Sequence, residues 1–148
     1  MTDLAATGST HHRPVLASAV LAVVSAAVVA SLLCLAVAAA AHALGASREM
    51  LALTPKVFIP FVVVGVICGA IGWSIVRART RHPDRVLTRL VPIVLLLSFV
   101  PDVLVGVTKA LPGTTWTAVL GLMVMHLVVA ACAVVAYRTF LPVGRSPR

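Results

Sequence analysis

Two ionisable side chains stand inside long apolar stretches of this chain. Asp102 is the sole acid within any such stretch, and His126 is the sole histidine deep within one. In hydrocarbon, such groups pair with each other or with backbone carbonyls, and they mark proton or ion paths. A carboxylate at the centre of a membrane span costs about 2.5–3.5 kcal/mol on insertion scales. Asp102 directly follows Pro101. A helix restarting there would put the carboxylate in a fresh first turn, where free N–H groups favour negative charge. The structural alternative for His126 is a neutral ring giving one hydrogen bond to a neighbouring helix. Counted along their helices, the two residues differ in depth by about 6 Å, a gap that counting alone does not close. Both side chains are expected to point inward, because polar groups facing lipid lose water without replacement. Ser98, Thr115 and Thr117 are further polar groups available to such a network.

Met123 and Met125 flank this histidine. Only Met123, three positions away, shares its helix face, since adjacent residues point about 100° apart. A soft-metal site would need ligands from other segments, and Cys34, Cys68 and Cys132 lie at different depths. The reading is core packing, with no metal and no cofactor. The three cysteines lack CxxC spacing and a disulfide framework, and inside apolar runs they act as small apolar residues. There is no phosphate-cradling glycine loop after a strand, no paired carboxylates and no HExxH. No enzyme activity is expected.

The elements that must position these groups follow from composition. Of 148 residues, 61% are hydrophobic and 11% charged, against roughly 45–50% and 25% in soluble domains. Apolar runs reach the ~18 residues that mark membrane spans. The net charge of +8 resides in short segments beside these runs. That pattern fits membrane orientation and argues against a nucleic-acid partner. The expected fold is all-α: a transmembrane four-helix bundle, antiparallel up-down-up-down. Its spans are placed at about 14–41, 55–76, 86–107 and 115–140, within a membrane domain of 14–141. Residues 1–13 form a polar, disordered cytoplasmic tail, and 142–148 a short basic one.

Local signals set the boundaries. Pro14 suits a first helical turn. Ala36-Val37-Ala38 resembles a signal cleavage site, but the preceding apolar run exceeds the usual core of about 7–15 residues, so an uncleaved helix is read. Gly45 can end that helix. Met50, Leu51 and Leu53 suggest that part of loop 42–54 lies on the membrane surface. Thr54-Pro55 gives a hydroxyl N-cap followed by proline. Gly65, Gly69 and Gly72 form a small-residue face suited to close helix packing in lipid. Trp73 and Tyr137 are placed at the inner interface and Trp116 at the outer one. Pro92 and Pro101 should kink or break the third span. Pro112-Gly113 reads as a type II turn, and Thr114 or Thr115 as the cap of the fourth span.

Orientation follows from the basic residues. Arg77, Arg79, Arg81, Arg85 and Arg89 put five arginines into thirteen residues. They serve as a topology signal or bind lipid headgroups. With both termini cytoplasmic, nine Lys and Arg lie inside and three outside. The chain is thus expected to be a multi-pass protein of the plasma membrane.

Three stretches carry a resemblance: Gly69-Ala70-Ile71-Gly72-Trp73, Leu97-Ser98-Phe99-Val100-Pro101-Asp102, and Leu122 to Ala131 with its Met-Val-Met-His core. In these the chain resembles a family of small four-helix membrane proteins from actinobacteria, a domain of unknown function. The resemblance implies four spans and no activity. Two functions from different classes remain. One is a non-catalytic membrane subunit or accessory protein acting through contacts, with the lipid bilayer and a homo-oligomer or another membrane protein as partners. The other is a small proton-coupled transporter or carrier built on Asp102 and His126.

Overall fold

In a computed structural model, which describes residues 12–142, the chain folds into four long helices. They are α1 (His12–Ala43), α2 (Pro55–Arg79), α3 (Pro83–Thr108) and α4 (Trp116–Phe140), with one 3-10 turn at Leu51–Leu53. Each of the four is long and apolar enough to cross a membrane. Short connectors force neighbours in sequence to run antiparallel, giving an up-down-up-down bundle. The helices overrun the expected spans by up to three residues at an end. The tails expected at 1–13 and 142–148 lie mostly outside the described residues; within them, helix α1 already begins at His12.

The helix ends follow local chemistry. α1 closes at Gly45, whose φ of +95° suits glycine. The Ala46 N–H donates to Ala41 O at 2.9 Å and the Gly45 N–H to His42 O at 3.2 Å, the two bonds of a Schellman cap. Thr115 caps α4 by accepting from the Ala118 N–H at 3.1 Å. Thr54 stands at the N-cap position of α2, but its hydroxyl donates back to Leu51 O at 2.7 Å, into the preceding 3-10 turn. Gly113 has φ +69° and the Thr114 N–H donates to Leu111 O at 3.3 Å, as a type II turn requires.

Helix α4 is the centre of the bundle. It packs most extensively on α1 and also touches α2 and α3. The α1 side of the main seam is a row at four-residue spacing: Ala22, Ala26, Ala30, Cys34 and Ala38, all buried. Lipid tails are as apolar as the helices, so association depends on close van der Waals packing, which small residues permit. The seam is tight at both measured points. Cys34 Sγ lies 4.0 Å from Met125 O, and a Cβ at Gly121 would stand 3.1 Å from that of Ala41.

The glycine face of α2 is not the seam the sequence suggested. The buried stripe of α2 is Phe58, Val62, Val66, Ala70 and Trp73, one position removed from the glycines. Gly65 and Gly72 have no neighbour within 4 Å of a built Cβ, whereas one at Gly69 would meet Tyr137 Oη at 3.1 Å. Trp73 and Tyr137 are likewise core residues and not interfacial anchors, at 4% and 2% exposure. Their rings lie 5.5 Å apart. The Trp73 indole donates to Leu141 O at 3.2 Å, and the Tyr137 hydroxyl donates to Val66 O. Both polar tips find backbone carbonyls, which lets the amphipathic rings be buried.

The loop 42–54 also differs from expectation. Leu51 is exposed, but Met50 and Leu53 are buried in the bundle end. Gly113 closes on them, since a Cβ there would stand 2.7 Å from Ser47 Oγ and 3.1 Å from Met50 N. The two connectors at this end therefore pack together, and Met50 is spent inside the fold rather than on the membrane surface.

Helix α3 is the least buried of the four, with Leu87, Asp102 and Gly106 as its buried residues. It runs unbroken through Pro92 and Pro101. Each proline removes one i→i−4 hydrogen bond. In hydrocarbon, further unwinding would strand more backbone groups.

Candidate functional site

Because α3 is unbroken, Asp102 does not sit in a new first turn. It lies six residues before the end of α3, and His126 lies ten residues after the start of α4. Along the helix axes this leaves the depth difference of about 6 Å. Side-chain direction closes it. The Cα–Cβ bond leans toward the N-terminus of its own helix. The N-terminus of α3 is at the far side of the membrane from the 109–115 connector, and that of α4 adjoins it. Asp102 therefore leans away from the connector and His126 leans toward it. They meet with Nδ1 of His126 3.0 Å from Oδ2 of Asp102.

Gly106, one turn beyond Asp102 on the same face, brings the helices close enough for this short carboxylate to reach. A Cβ there would stand 3.0 Å from Trp116 Cζ3 and 3.1 Å from Val119 Cγ2. At the connector end, Lys109 takes a left-handed φ of +54° to terminate α3 and holds its ammonium 5.4 Å from the Trp116 ring centroid. That geometry is a cation–π contact tying the end of α3 to the start of α4.

Nδ1 of His126 also lies 3.0 Å from Leu122 O. A carbonyl only accepts, so Nδ1 carries the proton. The other ring nitrogen, Nε2, is then the lone-pair site of the neutral ring. It makes no hydrogen bond among the described residues, and the His126 side chain is 39% exposed. Asp102 is 7% exposed, and its buried Oδ2, although 3.0 Å from Nδ1, receives no well-directed hydrogen bond among the described residues. Phe99 stands edge-on to the imidazole at 6.4 Å. The arrangement is a buried carboxylate beside a partly exposed imidazole. It can hold a proton on either partner, as an ion pair or as a neutral pair.

The other candidates fall outside this site. Ser98 donates to Leu95 O at 2.7 Å, Thr115 is engaged as a cap, and Thr117 makes no side-chain hydrogen bond among the described residues, so none of the three hydroxyls extends the pair. Met123 is half-buried, and Met125 is buried against the α1 seam. No cluster of three His, Cys, Asp or Glu side chains able to hold a metal occurs among the described residues. Arg77, Arg79, Arg81, Arg85 and Arg89 gather at the opposite end of the bundle from the 109–115 connector.

A family of unknown function, DUF6069, matches residues 11–142. The chain belongs to DUF6069. Asp102, His126 and every helix of the bundle lie within the matched region. No curated protein and no solved structure matches the chain. The DUF6069 domain is thus a set of four apolar, span-length helices with one polar pair between the last two.

The seam along α1 was available to sequence reasoning and was missed. Its signal is the four-residue repeat of alanine and Cys34, a small-residue pattern as regular as the glycine row of α2.

Proposed function

We propose that the chain is a non-catalytic membrane subunit or accessory protein that acts through lateral helix contacts. The observation that supports this is the partly exposed imidazole of His126, whose Nε2 has no hydrogen-bond partner among the described residues. It lies about 15 Å from the start of α4, near mid-membrane. An acceptor there has no water to satisfy it. A donor from a neighbouring membrane helix, in a second copy of this chain or another protein, would supply the missing bond. The thin attachment of α3 to its own bundle leaves that side of the molecule accessible to such a neighbour. The setting we infer is the plasma membrane with both termini cytoplasmic, supported by the nine-to-three bias of basic residues.

A photo-crosslinking residue at Val103, exposed on α3 beside the pair, tests this in intact membranes. A discrete protein adduct that weakens in His126→Leu is expected. Lipid adducts alone would remove the basis for the reading.

The direct contact of Asp102 with His126 favours a second reading, a proton-coupled carrier. Proteoliposomes loaded with a pH-sensitive dye separate the two. Dye response that is lost in Asp102→Asn supports the carrier, and an identical response in wild type and variant excludes it.

A further inference from the structure

The arginine-rich end of the bundle carries an arrangement that the contact reading does not use. Helices α2 and α3 are joined there by only three residues, Thr80 to His82. Leu87 is the buried residue of this first part of α3, at 4% exposure. Arg85 and Arg89 precede and follow it by two positions and are both exposed. At 3.6 residues per turn, both point to the side opposite Leu87. They therefore face away from the bundle and lie one above the other, as residues four apart do.

Arg89 stands six residues inside α3, about 9 Å along the axis. At that level an outward arginine meets the boundary between headgroups and acyl chains, and its long stem can carry the guanidinium back to the phosphates. Pro92, lacking an N–H, leaves the Thr88 carbonyl without a helical partner, and headgroup-level surroundings would let water satisfy it. Neither arginine forms an ion pair or hydrogen bond with the protein among the described residues. Asp84 is the only acid in this region, among five arginines. The excess of positive charge selects a lipid of net negative charge over a zwitterionic one.

We propose that Arg85 and Arg89 form a binding site on the lipid-facing side of α3 for the phosphate of an anionic phospholipid. Two stacked guanidiniums can each present paired donors to phosphate oxygens, which a lysine cannot do. The uncapped start of α3, where His82 gives no side-chain cap bond, adds the favourable end of the helix dipole.

The test uses energy transfer from Trp73, which lies on α2 toward this end of the bundle. A Trp116→Phe background removes the other tryptophan. The full chain is reconstituted in vesicles with the same lipids in both leaflets, so insertion direction does not matter. Dansyl-phosphatidylglycerol is compared with dansyl-phosphatidylcholine. One basic residue near a charged surface is worth roughly a fivefold preference. The parent should show at least that preference for phosphatidylglycerol. Arg85→Gln/Arg89→Gln should bring the ratio close to one. Arg77→Gln/Arg79→Gln, which removes equal charge from the end of α2, should keep most of it. Arg85→Lys/Arg89→Lys should retain an intermediate preference, and a thermal stability of the glutamine variant equal to the parent's separates loss of the site from misfolding. Equal losses in the two glutamine pairs would reduce the site to diffuse charge and overturn the proposal, as would a parent with no preference.

Discussion

The pairing of Asp102 with His126 can be tested by a double-mutant cycle whose outcome the burial pattern dictates. His126→Leu removes the side chain that lies 3.0 Å from a carboxylate that is 7% exposed. Stranding one member of a buried pair typically costs about 3–5 kcal/mol. Protonation of the abandoned carboxyl relieves part of that, so roughly 2–4 kcal/mol is expected here. Asp102→Leu should cost less, because His126 keeps its bond to Leu122 O and is partly open. In the double variant neither polar group remains, and apolar replacements of buried pairs are often close to neutral. The double variant should therefore be more stable than His126→Leu alone. The coupling should exceed the ~0.6 kcal/mol average for interhelical hydrogen bonds in membranes. Unfolding in mixed micelles of rising dodecyl sulfate fraction measures each corner. Trp116 emission is a suitable signal, because this ring lies against Gly106 in the same seam. Additive losses, with the double variant the least stable of the four proteins, would refute the pairing.

Three further outcomes follow from the packing. Gly69→Leu should lower thermal stability clearly more than Gly65→Leu, since only the former collides with Tyr137; equal melting in detergent would contradict the observed seam. Gly121→Val should loosen α1 from α4 by about 1–3 kcal/mol, the usual cost of overpacking, because its Cβ meets Ala41 and Leu53, and faster proteolysis in the connector at 44–54 would report it. Single cysteines at Ser47 and Thr80, in a cysteine-free background, should label from outside intact cells at Ser47 only; labelling at Thr80 alone would invert the orientation.

What the sequence made legible was what depends on local chemistry. The spans follow from run length, the turn at Pro112-Gly113 from φ preference, and the Thr115 cap from its hydroxyl. The faces were hidden because hydropathy is nearly uniform around each helix, so no apolar stripe marks the inside. Tyr137 and Trp73 illustrate this. Their polar tips suit an interface equally well, and only the positions of Val66 O and Leu141 O show that they turn inward. The Asp102–His126 contact was obscured for another reason. Counting residues measures the depth of Cα atoms, while the contact depends on side chains that lean toward each other from antiparallel helices.

The seam between α1 and α4 joins the first span to the last. During synthesis α1 emerges with its alanine row uncovered, and its main partner is made only after α2 and α3. Of those two, α2 packs on both α1 and α4, and α3 packs chiefly on α4. Closure of the bundle is thus delayed until the final helix has entered the membrane. A chain truncated before Trp116 would lack the helix that every other one packs against, and would present an open small-residue groove to the lipid and to whatever surveys it. Assembly of this domain is in effect a single late event, set by the position of one helix in the order of synthesis.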